Sequence, residues 1–249
     1  MKNKIILHIP HSSLKLPKDF YKDKFISKQE IDQFNYEMCD FSIDKIFSNN
    51  RFKTITAPLS RIYCDVEKFA DDNLEEYSKF GLGVIYTKTN NGKLFFNPSD
   101  KYKLEVLDKY YVKFHTLLNN EVLKHINKQN VILIDCHSFS QKTIMDNNKK
   151  ANLPDVCIGV NNTYVSKNLT KTVYDYFSNL GYKTQINYPY SGAMIPHYFF
   201  KNASSKLFTI MVEINKNLYM ENDKTNKYKI KTLNKQINAL LSNLENIEL

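Results

Sequence analysis

Residues 131–140 read VILIDCHSFS, an apolar, largely β-branched run that delivers an aspartate, a histidine and a serine at its end. Side chains two apart on a strand share a face, so Asp135 and His137 are expected to point the same way, with Cys136 opposite them as a core thiol. That is the arrangement of a ligand and the neighbour that orients it. The competing reading is a helix-capping aspartate beside an ordinary loop histidine. Other segments end in the same manner: His11 follows KIILHI (4–9), Asp65 lies at the end of RIYCDV (61–66), and Glu213 lies near the end of KLFTIMVEIN (206–215). In an open α/β sheet, crevices form at the carboxyl ends of the strands. Coincidence explains several such ends less well than it explains one.

Two imidazoles and a carboxylate that leave one position open suit a hydrolytic zinc, because these donors hold the cation and the open position admits water. His11 and His137 are the expected imidazoles, against a capping or turn role for His11. The water needs a base, and Glu213, between Val212 and Ile214, is expected to be buried with a raised pKa. Its alternative is a buried ion pair with Arg61, since a lone buried carboxylate is costly. Arg61 is one of only two arginines, and its planar fork suits a substrate carboxylate. His8, His115 and His125 carry less weight, the latter two as packing or surface residues of one long helix, and His197 sits in a loop. Ser138 beside His137 invites a serine-hydrolase reading, but there is no GxSxG segment to support it.

The elements that must position these groups alternate between strand and helix. Strands are expected at 4–9, 52–58, 61–66, 131–136, 155–160, 182–187 and 206–215, with a strand or hairpin at 81–89 before Asn91-Gly92. Helices are expected at 27–48, opened by a Ser27/Glu30 capping box, and at 100–128, 166–180 and 223–247. The polar stretch 138–154 reads as a loop long enough for a lid, and 188-YPYSGAMIP-196 as a second loop. The fold class implied is α/β, with a mixed, largely parallel central sheet covered on both faces.

Residues 1–249 contain no Pro/Gly/Ser-rich linker and are expected to form a single domain. A 42% hydrophobic content with 17 Tyr and 16 Phe supports a substantial core and argues against disorder. The cysteines are scattered without a CxxC pair, and neither a signal peptide nor a membrane span is apparent, so the expected location is the cytoplasm. The net charge of +9 comes from dispersed lysines without a nucleic-acid-binding motif. It suits a solvated surface that draws anionic substrates toward a cleft.

Taken in order, 10-PHSS-13, 39-CDFSIDKIF-47, 58-PLSRIYCDVEK-68, 135-DCHS-138, 187-NYPYSG-192 and 212-VEINKNLYM-220 resemble the motifs of the N-formylglutamate amidohydrolase family across nearly the whole chain. The resemblance implies a three-layer α/β/α, zinc-exopeptidase-like fold and hydrolysis of an N-acyl amino acid, N-formyl-L-glutamate giving formate and L-glutamate. It implies one Zn2+ per chain, held by His11, His137 and a carboxylate of the family's Asp-x-x-x-Asp helix. Asp40 is taken as that ligand and Asp44 as the residue behind it, although two positions four apart on a helix share a face and spacing does not separate them. Asp135 then orients His137, Glu213 is the base, Arg61 with Asp65 holds the substrate carboxylate, and Ser138 and Gly192 border the substrate. The chain departs from the family where Asp-x-Asn-Arg becomes 65-DVEK-68 and where the glycine-rich turn becomes 191-SGAMI-195. The first departure bears on glutamate recognition more than on hydrolysis. A small-molecule substrate is expected, without nucleic acid or membrane. The alternatives are another zinc amidase or carboxypeptidase on this fold and a noncatalytic anion-binding protein, the latter disfavoured by intact His11, His137 and Glu213.

Overall fold

The computed structural model describes residues 2–144 and 152–249. Two compact units make up the chain: Met1–Ile9 with Phe41–Ile55 and Leu118–Leu249, and Pro10–Asp40 with Thr56–Leu117. The helices are α1 (Lys28–Met38), α2 (Ile43–Ile46), α3 (Asp100–Val106), α4 (Val112–Ile126), α5 (Lys167–Asn179) and α6 (Lys227–Leu244). None of the described helices is long and apolar enough to cross a membrane.

The first unit is built on a six-stranded sheet. Its strands are β1 (Lys4–Ile9), β2 (Lys53–Thr56), β3 (Val131–Phe139), β4 (Val156–Gly159), β5 (Thr184–Ile186) and β6 (Leu207–Asn215), in the order β2-β1-β3-β6-β4-β5. β1, β3 and β6 run parallel, β4 is antiparallel to β6, and β5 is parallel to β4. The sheet is therefore mixed and mostly parallel, as the interleaved apolar runs and amphipathic helices imply.

Period-two alternation divides these strands into two faces. Ile5, Leu7 and Ile9 of β1, Ile132, Ile134 and Cys136 of β3, and Ile210, Val212 and Ile214 of β6 join a single core with residues of α2, α5 and α6. Each such aliphatic side chain contributes about 1.5–3 kcal/mol on leaving water. Along α5, Leu169, Val173 and Phe177 recur four apart and form the buried stripe. The Ser166 hydroxyl caps that helix by accepting the Leu169 amide at 3.1 Å. It stops before Gly181, which supplies the left-handed φ of +87°. α6 begins at Lys227 rather than near 223, because Asn222 and Asp223 are both left-handed and turn a hairpin of β7 (Met220–Glu221) and β8 (Lys224–Thr225). The opposite face of the sheet carries His8, Asp135, His137 and Glu213 toward the strands' carboxyl ends. β3 runs on to Phe139, beyond its expected end, so Asp135 and His137 are strand residues. The loop expected over 138–154 begins as the end of β3 and a short turn at Gln141–Thr143, and its central part, 145–151, lies outside the described residues.

The second unit contains little strand. α1 opens with the expected capping box: the Ser27 hydroxyl accepts the Glu30 amide at 3.3 Å and the Glu30 carboxylate accepts the Ser27 amide at 2.9 Å. The single helix expected over 27–48 breaks after Met38. Cys39 is extended, Asp40 donates its amide to the His11 carbonyl at 2.9 Å, and Ser42 is left-handed at φ 60°. A tertiary hydrogen bond here outweighs helix propensity. Residues 61–66, expected as a strand from their alternation, instead wind into a turn, the Ser60 carbonyl accepting the Tyr63 and Cys64 amides at 3.1 and 3.3 Å. Around Asn91-Gly92 the chain reverses as expected, with isolated bridges Leu82–Tyr86 and Lys88–Leu94. The helix expected over 100–128 forms as α3 and α4, joined by a π-helical stretch at Leu107–Tyr111.

Candidate active site

Four titratable side chains share one face of the sheet in the first unit. His8 pairs in register with Asp135, and His137 with Glu213. As two positions apart on a strand require, Asp135 and His137 lie on the same side, and His137 Nε2 meets Asp135 Oδ1 at 2.9 Å. His8 Nδ1 meets the same oxygen at 2.7 Å, and the Met194 amide donates to Oδ2 at 2.9 Å. Burial by itself would raise the Asp135 pKa. The facing His137 and His8 outweigh it and hold the carboxyl well below its usual range. An ionised carboxylate only accepts, so in a neutral His137 the proton sits on Nε2 and Nδ1 presents its lone pair. Glu213 is buried beside it in the ladder.

The segment 188–196 crosses the end of β4 at close range. A Cβ on Gly159 would lie 2.0 Å from the Gly192 carbonyl oxygen and 2.4 Å from the Met211 methyl, so only glycine fits without displacing this segment. Gly159→Ala is therefore expected to lower stability by about 1–3 kcal/mol, read as a fall in the urea midpoint. A midpoint equal to wild type would show that the segment bearing Gly192 and Met194 moves aside at no cost.

A buried network occupies the second unit. His11 Nε2 meets Asp65 Oδ1 at 2.8 Å. Arg61 donates to Asp65 Oδ2 from Nε at 3.0 Å and Nη2 at 2.9 Å, and the Tyr86 hydroxyl donates to that oxygen at 2.7 Å. Burial lowers the His11 pKa and the Arg61 charge adds to the effect, which favours the neutral imidazole. Its Nδ1 lies 3.8 Å from Asp40 Oδ2 and 3.8 Å from Glu67 Oε2, beyond hydrogen-bond range. Burial opposes the charges of Arg61 and Asp65 alike, yet each sustains the other. Asp65 holds the Arg61 pKa well above its ordinary value, and Arg61 with His11 holds Asp65 well below.

The expected residues are thus placed as follows. Asp40 is buried, whereas Asp44 is exposed on α2, and with the helix broken between them the two do not share a helical face. Asp65 lies in a turn rather than at a strand end, and its carboxylate takes the fork of Arg61. Ser138 lies on the side of β3 opposite His137, by alternation. His115 packs on Tyr111, with ring centroids 4.3 Å apart. His8, Glu67 and Tyr86 join these groups without having been expected there. For His8 a signal existed, a single imidazole within an apolar strand run. No sequence pattern marks Glu67 or Tyr86. The described residues include His and Asp groups that could hold a metal ion.

An α/β sheet that gathers buried imidazoles and carboxylates toward its strand ends is the framework of an enzyme. The chain belongs to the N-formylglutamate amidohydrolase family, amide-hydrolysing enzymes whose family model matches residues 3–220. Its fold is similar to the crystal structure of N-formylglutamate amidohydrolase from Ralstonia eutropha JMP134, with TM-score 0.83 at 17% identity, over 98% of this chain and 93% of that one. A gene product of Agrobacterium tumefaciens is similar at TM-score 0.69 and 16% identity, over 98% of this chain and 92% of the other. At these identities the likeness is one of fold. No curated protein matches the chain.

Proposed function

We propose that the chain is a metal-dependent amidohydrolase of N-acyl amino acids that converts N-formyl-L-glutamate to formate and L-glutamate, with 1–249 acting as one catalytic domain. The observation that carries this reading is a feature repeated in both units. His11 and His137 each meet a buried carboxylate through Nε2, at 2.8 and 2.9 Å, which orients Nδ1 as a ligand nitrogen. His11, Asp40 and His137 would hold one zinc, a donor set of two imidazoles and a carboxylate that suits that ion. When bound, such an ion polarises the amide carbonyl and acidifies water.

The remaining steps fall to the chain's own residues. Glu213 takes the proton from the attacking water and returns it to the leaving nitrogen. Arg61 holds the substrate carboxylate through its guanidinium, and Asp65 fixes Arg61 with one oxygen and His11 with the other. Asp135 keeps the His137 ring oriented.

A second reading, another N-acyl amino acid as the natural substrate, is favoured by Lys68, which stands where the family pattern has arginine. Its ammonium donates to Glu75 Oε1 at 3.1 Å and lies 4.1 Å from the centre of the Tyr77 ring. A cation so engaged is poorly placed for a second substrate carboxylate.

The test is metal content by elemental analysis of untagged protein, with formate release from N-formyl-L-glutamate and other N-formyl amino acids before and after chelation. About one zinc per chain is expected, with release lost on chelation and restored by zinc. Undiminished release from metal-free protein would overturn the metal-dependent reading, and zinc-dependent release confined to other formyl amino acids would select the second.

A further inference from the structure

We infer that Tyr86 is a positioning residue for substrate recognition, its hydroxyl locking the Arg61 guanidinium so that a single edge is turned to a substrate carboxylate. The inference rests on the assignment of Arg61 as the carboxylate-binding group.

The hydrogen-bond directions around Tyr86 are forced. An arginine only donates and an ionised carboxylate only accepts, so a phenol between them must accept from the first and donate to the second. Both bonds are present: Arg61 Nε donates to the Tyr86 oxygen at 3.0 Å, and the Tyr86 hydroxyl donates to Asp65 Oδ2 at 2.7 Å. The single Nε proton is shared between the Tyr86 oxygen and Asp65 Oδ2, and Nη2 donates to that same Oδ2, so the Nε side of the guanidinium is held at two points, by a phenol and a carboxylate. The edge formed by Nη1 and the outer proton of Nη2 is left to face a substrate. Arg61 remains 19% exposed along its side chain, while Tyr86 is 1% exposed. Substrate can therefore reach the arginine but not the phenol, and Tyr86 acts through Arg61. Its ring packs near Phe34, with centroids 6.2 Å apart, and phenylalanine retains that contact.

Holding the fork in advance matters because a long cationic side chain otherwise loses rotamer freedom on binding. Asp65 alone would tether Arg61 at one oxygen; the phenol adds the second point that sets the tilt of the plane.

Tyr86→Phe is the test, read in steady-state kinetics of formate release and in calorimetric binding of succinate, a dicarboxylate that is not turned over. KM is expected to rise about tenfold and succinate affinity to fall by a similar factor, with kcat reduced much less. In an Arg61→Ala background, Tyr86→Phe is expected to change succinate affinity no further, because two residues acting through one contact are not additive. Full additivity would overturn the inference, as would unchanged succinate affinity, a loss in kcat with KM unmoved, or succinate binding that does not depend on Arg61. The succinate cycle needs no turnover, so it decides the role of Tyr86 even where formyl amides prove not to be substrates. Absence of formate release from the wild type counts instead against the proposed function.

Discussion

Glu213→Gln is expected to keep the metal and the fold while formate release falls by about 10²–10⁴-fold, the contribution usual for a positioned general base. Glutamine matches glutamate in size and preserves an acceptor oxygen, but it cannot take a proton from water. Glu213 is buried in β6 and adjoins His137 across the parallel ladder, so its side chain stands where the strand geometry holds it. Removing its charge also removes a desolvation penalty, and the urea midpoint is expected to hold or rise. The combination of full metal content, unchanged or higher stability and lost turnover separates a base from a ligand or a structural anion. Near-normal turnover in the metal-loaded variant would take Glu213 out of the mechanism.

His137→Ala is expected to act the other way round, losing metal first and activity as a result. Substituting the groups that merely orient a ligand commonly costs 10–100-fold in metal affinity, so loss of the ligand itself should exceed about 100-fold. Stability should also fall, because Asp135 is a buried anion that accepts from His137, His8 and the Met194 amide, and the substitution removes one of the three. A hydrogen bond to a buried charged group contributes about 1.5–3 kcal/mol, and the two remaining donors place the loss toward the lower end. Metal retained after dialysis and the urea midpoint are the two readouts. Full zinc occupancy in this variant would exclude His137 as a ligand.

The sheet is largely legible from short apolar runs bounded by polar and turn residues, because β1, β3, β4 and β6 are buried along nearly their whole length. Alternation alone also puts Asp135 and His137 on one face. What escapes a reading of the sequence depends on contacts between distant segments. The 27–48 periodicity is helical at both ends, yet the Asp40 amide goes to the His11 carbonyl and the helix gives way there. Nothing in those residues announces a partner some thirty positions upstream. The RIYCDV stretch alternates like a strand, but Ser60, joined through its hydroxyl to Asn35 at 2.6 Å, starts a turn that sets Arg61 and Asp65 side by side. Tyr86 escapes for the same reason: its phenol matters only once Arg61 and Asp65 are already placed. His8 is a different case, since a polar residue within a buried strand requires a buried partner and so announces one.

The two faces of the sheet also behave like two messages interleaved letter by letter. In β3 the odd-numbered positions carry Asp135 and His137 and the even-numbered ones carry Ile132, Ile134 and Cys136 of the core. No point substitution can exchange the two sets. A single-residue insertion early in β3 would exchange them at once, burying His137 among the aliphatic side chains and turning Cys136 toward Glu213, while a deletion would exchange them with Ser138 opposite Glu213 instead. A two-residue insertion restores the parity but shifts His137 out of line with Glu213. The chemistry of this chain can therefore be rewritten on alternate letters without repacking the core, provided the phase of the strand is never altered.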